Sequence, residues 1–305
     1  MPISDNWIIS TLENALSTWN EKLAEIWTLI SQTPASFKGG TIWGIIQTIS
    51  NGLVGIGYGL LVLFFAMGVF QSAASFRELQ RPEFALRHFI RFAGAKVAVG
   101  SAMEIMLTIF SICNGIASRA MSSIGGAVTV AATLPSEITN AINNLGFLEA
   151  IPLWLVSLLG SLIITVLSFV LILTVYGRFF RLYMYTALAP VPLASFAGEG
   201  TSHHAKAFIK SYVGVCAEGA VIILACLIYS AFIGTSYPAA DVTLDGVTMV
   251  WQYLGELVFN MLVLVGAVKM SDRVVREVLS PLPTEIIFST EELQEFLDKM
   301  QEAYP

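Results

Sequence analysis

Apolar residues run along this chain in long blocks that charges rarely interrupt, and the lengths of the blocks predict its elements. No charged residue falls between Lys38 and Arg77, between Glu149 and Arg178, or between Glu218 and Asp241. A helix needs about 20 apolar residues to cross the hydrocarbon layer of a membrane. With the apolar residues that precede Glu218, the blocks predict spans near 42–70, 151–176 and 208–232. Two further blocks, 97–117 and 247–268, each carry one acid, Glu104 and Glu256. A sixth stretch, 182–197, is short and contains Pro190 and Pro192. Proline removes a backbone donor and interrupts a helix, so this stretch reads as a re-entrant or interfacial segment. The expected fold is all-α: a polytopic membrane protein with about five transmembrane helices and one short Pro-broken segment.

The flanks follow a different rhythm. Across residues 5–32, Ile8, Leu12, Leu16, Trp19, Leu23, Trp27 and Ile30 recur at spacings of three and four, as on one helix face. Glu13, Glu21, Lys22 and Glu25 occupy the polar side, and Asp5 is placed to cap the start. Such a stripe needs a cover: the bilayer interface, a neighbouring copy or another subunit. At the other end, Ser289 and Glu292 stand at capping-box spacing before Leu293, Phe296, Leu297 and Met300. That predicts a second amphipathic helix. The chain thus divides into an outer N-terminal helix (1–40), a transmembrane domain (41–270) and an acidic tail (271–305). The Ala-, Gly-, Ser- and Thr-rich stretch from Arg119 to Gly146 is too polar for a span and reads as a loop, mobile or laid over an outer mouth.

Composition agrees with a membrane protein. Hydrophobic residues make up 55% of the 305 positions and charged residues 12%, against a usual charged share of roughly 25%. Mean hydropathy is +0.73. A disordered chain, a coiled coil and an ordinary soluble enzyme are thereby excluded. The formal charge of −6 leaves no dominant nucleic-acid-binding surface. Charge distribution sets the topology. If 182–197 does not cross, every Lys and Arg except Lys22, Lys38 and Arg119 falls on one side. Cytoplasmic loops are the Lys- and Arg-rich ones, so the N-terminus is expected outside and the C-terminus in the cytoplasm. The loop 234–246, with Asp241 and Asp245 and no base, suits the outer side. The first ten residues lack a basic region, so insertion is expected to use the internal spans.

Little in the sequence points to catalysis. The phosphate-cradling loop GxxxxGK[ST] is missing, as are GxSxG and HExxH. Cys113, Cys216 and Cys226 lie in apolar stretches without metal-ligand spacing. His203 and His204 are adjacent, and neighbours on a helix point apart, so they read as a solvated pair. No enzyme activity, metal or cofactor is expected; a bound phospholipid filling gaps between protomers is compatible with the pattern. The informative polar positions are Glu104, Glu218 and Glu256. A carboxylate in a span is costly against lipid, so each should face protein or water. It then lines a pore or an ion path, contacts a subunit, or is bonded to a Ser, Lys or Asn. Gly52, Gly55 and Gly59 are candidates for close helix packing, within or between protomers. Arg77, Arg81, Arg87, Arg91 and Lys96, with Arg178 and Arg181, form a candidate cytoplasmic basic collar.

Three stretches carry a family resemblance: TIWGIIQTISNGLVGIGYGLLVLFFAMGVF, the basic elbow FRELQRPEFALRHFIRF, and YGRFFRLYMYTALAPVPLASFAGEG, where an Arg-rich segment enters a Pro-broken apolar one. Over most of residues 40–280 the layout resembles the TrbL-type inner-membrane subunits of type IV secretion and conjugation machines, in the variety carried by integrative elements of Gram-positive bacteria. The resemblance implies a homo-oligomeric, pore-forming or platform subunit in the cell membrane. It would help single-stranded DNA and protein leave the cell, with energy from separate ATPase subunits among its partners. The other readings are an ion- or proton-coupled small-solute transporter or channel using Glu218 and Glu256, and a membrane enzyme acting on lipid.

Overall fold

The computed structural model describes residues 3–73, 82–123, 131–144, 147–235 and 246–279. All regular elements among these residues are helical: α1 (Ile3–Ser31), α2 (Thr41–Ala73), α3 (Pro82–Gly100), α4 (Ala102–Ser123), α5 (Ser136–Asn143), α6 (Phe147–Leu188), α7 (Pro190–Leu193), α8 (Ser202–Thr235) and α9 (Gly246–Leu279), with 3-10 turns at Phe37–Gly40 and Ala194–Ala197. Among the described residues, four stretches are long and apolar enough to cross a membrane: Phe37–Gln71, Ile151–Leu188, Ser202–Ile233 and Gly246–Leu279.

The fifth expected span differs. Residues 97–117 are not one straight helix: α3 and α4 meet at Ser101 with a bend of 76°. Backbone bonding continues through it, from Ser101 N–H to Val97 C=O at 2.8 Å and from Ile105 N–H to Ser101 C=O at 3.0 Å. At the bend, a Cβ on Gly100 would stand 2.8 Å from the Tyr58 hydroxyl, so a larger residue there would displace the end of that side chain. The pair is a broken span or a re-entrant loop.

The stretch 182–197 also divides differently. α6 continues past Arg178 and Arg181 to Leu188, so residues 182–188 extend a span. The break comes only at the prolines. Pro190 and Pro192 have no N–H to return to Thr186 and Leu188, and Thr186 C=O instead takes the Ala189 N–H at 3.4 Å. Only 189–197 remains as the short broken piece.

The chain forms two compact units. The first comprises Met1–Thr33, Cys113–Phe180 and Ala217–Ser271. Its core takes in the whole stripe of α1, with Ile8, Leu12, Leu16, Trp19, Leu23, Trp27 and Ile30 all buried. The cover is the chain's own: Trp19 meets Tyr229 of α8 edge-on at 6.3 Å, and Tyr176 of α6 donates to Glu25 at 3.1 Å. α1 starts at Ile3, so Asp5 lies within its first turn and not ahead of it, as a cap would. Much of the expected outer loop is fixed here too. α5 packs on α1, and Asn20 clamps Ala132 through its C=O and N–H, both at 2.9 Å.

The second unit comprises Pro34–Ile112, Arg181–Cys216 and Asp272–Pro305, of which the last stretch is described to Leu279. Here α7 and the turn after it pack on α2 and α3. Glycine makes this possible: a Cβ on Gly57 would stand 2.9 Å from both Pro190 C=O and Val99 Cγ1, and one on Gly68 3.2 Å from Gly198 Cα. Tyr183 secures the entry to α2, donating to Pro34 C=O at 2.9 Å and stacking near Phe37 and Trp43. Tyr212 of α8 donates to Met106 C=O of α4 at 3.0 Å. The expected final amphipathic helix and the acidic loop 236–245 lie outside the described residues.

Candidate functional site

In the first unit, polar groups meet among apolar helices. Glu218 on α8 is 1% exposed and accepts a hydrogen bond from Ser271 Oγ of α9 at 3.2 Å. Ser271 itself is wholly buried, and Arg178 on α6 is 1% exposed. The Arg178 guanidinium lies against Gly219, the residue after Glu218: a Cβ there would stand 2.6 Å from Cζ and 2.7 Å from each Nη. Three long helices thus share one buried polar cluster, with a glycine making room for the cation. Buried charges of this kind tie elements together and tolerate no single deletion. This placement corrects the expectation for Arg178, which sits in a core and not in an exposed collar. Its charge does not end the helix, since arginine is a good helix former.

The other two intramembrane acids are placed oppositely. Glu256 is exposed on α9, and its nearest support is Gln252, one turn earlier, whose Nε2 donates to it at 3.2 Å. Gly255 and Phe259 lie on the same exposed face. Glu104 is exposed in the first turn of α4, just after the bend. These side chains cannot rest against lipid cheaply.

Of the remaining collar residues, Arg77 and Arg81 lie outside the described residues. On α3, Arg87 and Lys96 are exposed, and Arg91 Nη1 stands 3.4 Å from Glu199 Oε1. Arg181 is bonded to Asp272 at 3.2 Å. Gly52, Gly55 and Gly59 share an exposed face of α2 where a Cβ would meet nothing within 4 Å. Within the protomer the packing glycines are therefore Gly57 and Gly68. The three expected ones face open space, beside Ile45, Ile49, Ile56, Val62 and Leu63, all exposed. The apolar window of this span is only 17% buried, against 39–50% in the other three.

His203 and His204 both lie exposed in the first turn of α8, with ring centroids 3.8 Å apart. Cys113, Cys216 and Cys226 are buried free thiols. Among the described residues, no group of three His, Cys, Asp or Glu could hold a metal ion. Sequence reasoning missed Gly219, Ser271 and Gly68. The available signal was the Glu218-Gly219 pair, a charge followed by the smallest residue inside an apolar block.

A protein-family model matches the chain over residues 19–190, more than half its length; the family is described as TrbL/VirB6 plasmid conjugal transfer like protein. No curated protein and no solved structure matches the chain.

Proposed function

Since the chain belongs to the TrbL/VirB6 plasmid conjugal transfer family, and is a multi-pass helical membrane protein of a conjugal transfer system, we propose that it is a pore-forming or platform subunit that acts as a homo-oligomer. The observation that carries this reading is Glu256, a carboxylate exposed in the middle of the apolar part of α9. A lone protomer would present it to hydrocarbon, so a second copy or a water-filled lumen must cover that face. The barely buried α2, with its open Gly52, Gly55 and Gly59 face, supplies a surface on which helices approach closely.

Under this reading the N-terminus lies outside and the Arg- and Lys-rich ends face the cytoplasm, where single-stranded DNA and separate ATPase subunits arrive. The protein carries no chemistry of its own; it positions helices. The transporter reading receives less support. Glu218 is sealed and bonded to Ser271, which suits a structural tie better than a titrating carrier group.

The test is DNA transfer. Deleting the gene should abolish transfer to recipient cells, and supplying it in trans should restore it; undiminished transfer in the deletion strain would overturn the proposal. Oligomerisation has its own readout. In a variant without the three native cysteines, Gly55→Cys should form disulfide-linked dimers in membranes, while Leu61→Cys, buried within the protomer, should not.

A further inference from the structure

The second unit contains a cavity that the proposed role does not use. It has a volume of about 290 Å³ and is lined by Tyr185 of α6, Ala207, Lys210, Ser211, Gly214 and Val215 of α8, and Asp272, Arg276 and Leu279 of α9. Its charges are organised. Asp272 accepts from Arg276 Nε at 3.2 Å and from Arg181 Nη1 at 3.2 Å. One carboxylate thus anchors two guanidinium groups, and with Lys210 the rim holds more positive than negative charge. Tyr185 is wedged beside Phe208 and Tyr212, at 5.4 and 6.1 Å between ring centroids, so the polar wall is held by packed aromatics. Tyr185 and Ser211, both hydroxyl-bearing, are among its lining residues, and Val215 and Leu279 add apolar ones.

From this arrangement we infer that the cavity binds the phosphate group of an anionic glycerophospholipid. Cationic side chains and hydroxyls match phosphate oxygens. Basic pockets between membrane helices on the cytoplasmic side are suited to anionic headgroups. At about 290 Å³ the cavity lies at the lower edge of the roughly 300 to 1,000 Å³ usual for ligand pockets, which leaves room for a headgroup phosphate while the acyl chains stay outside. Gly214 sets the floor. A Cβ there would touch Val275 Cγ1 at 3.7 Å and Leu279 Cδ1 at 3.8 Å, ordinary contacts that a larger side chain would exceed by filling the space. The bound lipid would bridge α6, α8 and α9 at the ends where they carry Arg181, Lys210 and Arg276. The inference does not depend on the pore or platform role, because it concerns only what this cavity holds.

The full-length protein, purified in mild detergent, is loaded from vesicles of phosphatidylglycerol or of phosphatidylcholine, and retained lipid is counted by native mass spectrometry. Phosphatidylglycerol should be retained over phosphatidylcholine. Lys210→Ala with Arg276→Ala should lower its retention on the order of tenfold, as expected for two surface cations each contributing modestly. Gly214→Leu should do the same with the charges intact, and circular dichroism will show whether each variant keeps its helices. Arg273→Ala, which removes an exposed cation outside the cavity, should leave retention unchanged. Equal retention of both lipids, or wild-type retention in Gly214→Leu, would overturn the inference. So would binding of inorganic phosphate by the delipidated protein with no retention of phosphatidylglycerol, which would assign the cavity to a soluble anion. Transfer assays read the proposed function separately, so loss of one leaves the other standing.

Discussion

Glu218 and Glu256 look alike in the sequence, each a single acid within an apolar block of a membrane helix. In the structure they part completely. Glu218 is sealed, bonded to Ser271 and one residue from the glycine that receives the Arg178 guanidinium. Glu256 is exposed, and Gln252 of its own helix donates to it. An acid in a span must be satisfied, but the helix alone does not say by whom. The answer for Glu218 comes from Ser271, 53 residues further along. The first acid holds the protomer together; the second is available to whatever covers the protomer.

The strongest way to break this contrast is to replace each acid with leucine. Removing one member of a buried charged cluster leaves the rest uncompensated, at a cost of about 3–5 kcal/mol. Glu218→Leu and Arg178→Leu should each lower the thermal unfolding midpoint in detergent sharply, and Gly219→Leu should act similarly by displacing the guanidinium. The double variant Arg178→Leu/Glu218→Leu should be less damaged than either single one, since hydrophobic replacement of a whole buried cluster is often near neutral. Single variants as stable as wild type would show that the cluster is not a tie.

Glu256→Leu should do the opposite. The side chain is exposed, so unfolding should shift by no more than about 0.5 kcal/mol, while transfer frequency and oligomer recovery fall. A variant that transfers DNA normally would mean that no copy or lumen reads this face, and the assembly argument would lose its main support.

An effect smaller than that of the buried cluster separates two sets of glycines on α2. Gly57→Leu must push into Pro190 C=O and Val99, both 2.9 Å from where its Cβ begins. Overpacking of this kind costs about 1–3 kcal/mol. Gly55→Leu meets nothing in the protomer and should leave its unfolding unchanged while weakening the oligomer. Equal destabilisation by both would place Gly55 in a packed contact.

Much of this architecture was legible because hydrophobicity alone specifies it. The apolar blocks gave the long helices, and the 3.6-residue rhythm of Ile8 to Ile30 gave α1 with its buried face. What failed to show was anything fixed by a partner. The cover for α1 is Tyr176, Tyr229 and the 131–144 segment, all far away in sequence, and nothing in the stripe names them. A charge bounds an apolar block without ending a helix: arginine is a good helix former, so α6 continues past Arg178 and stops only before Pro190. The bend at Ser101 was hidden as well: Gly100 looks like any glycine until Tyr58 is placed against it. For the candidate site, residue types are readable and faces are not: Gly55 and Gly57 look alike in the sequence, and only the fold sets one in the open and the other against Pro190.

The least expected effect lies on the polar side of α1, where the contrast between sealed and open charges can be tuned without touching a span. Lys22 Nζ donates to Glu25 Oε2 at 2.7 Å, with both side chains partly open to solvent. The bond from Glu25 is the main cause that holds the Lys22 ammonium above its ordinary value of 10.5, with the nearby charge of Glu25 adding to it and desolvation opposing. A raised value in the folded state means that the pair stabilises fully below 10.5, and that this contribution disappears as pH rises through the higher folded value. Exposed pairs contribute little, so Lys22→Met should cost no more than about 0.5 kcal/mol at neutral pH. The difference between variant and wild type should vanish in strongly alkaline buffer and shrink with added salt. Glu25 also takes the Tyr176 hydroxyl at 3.1 Å, so Glu25→Gln should cost more than Lys22→Met. If the two substitutions cost the same at neutral pH, the Tyr176 bond adds nothing to the hold of α1 on α6, and the apolar stripe alone fixes that helix.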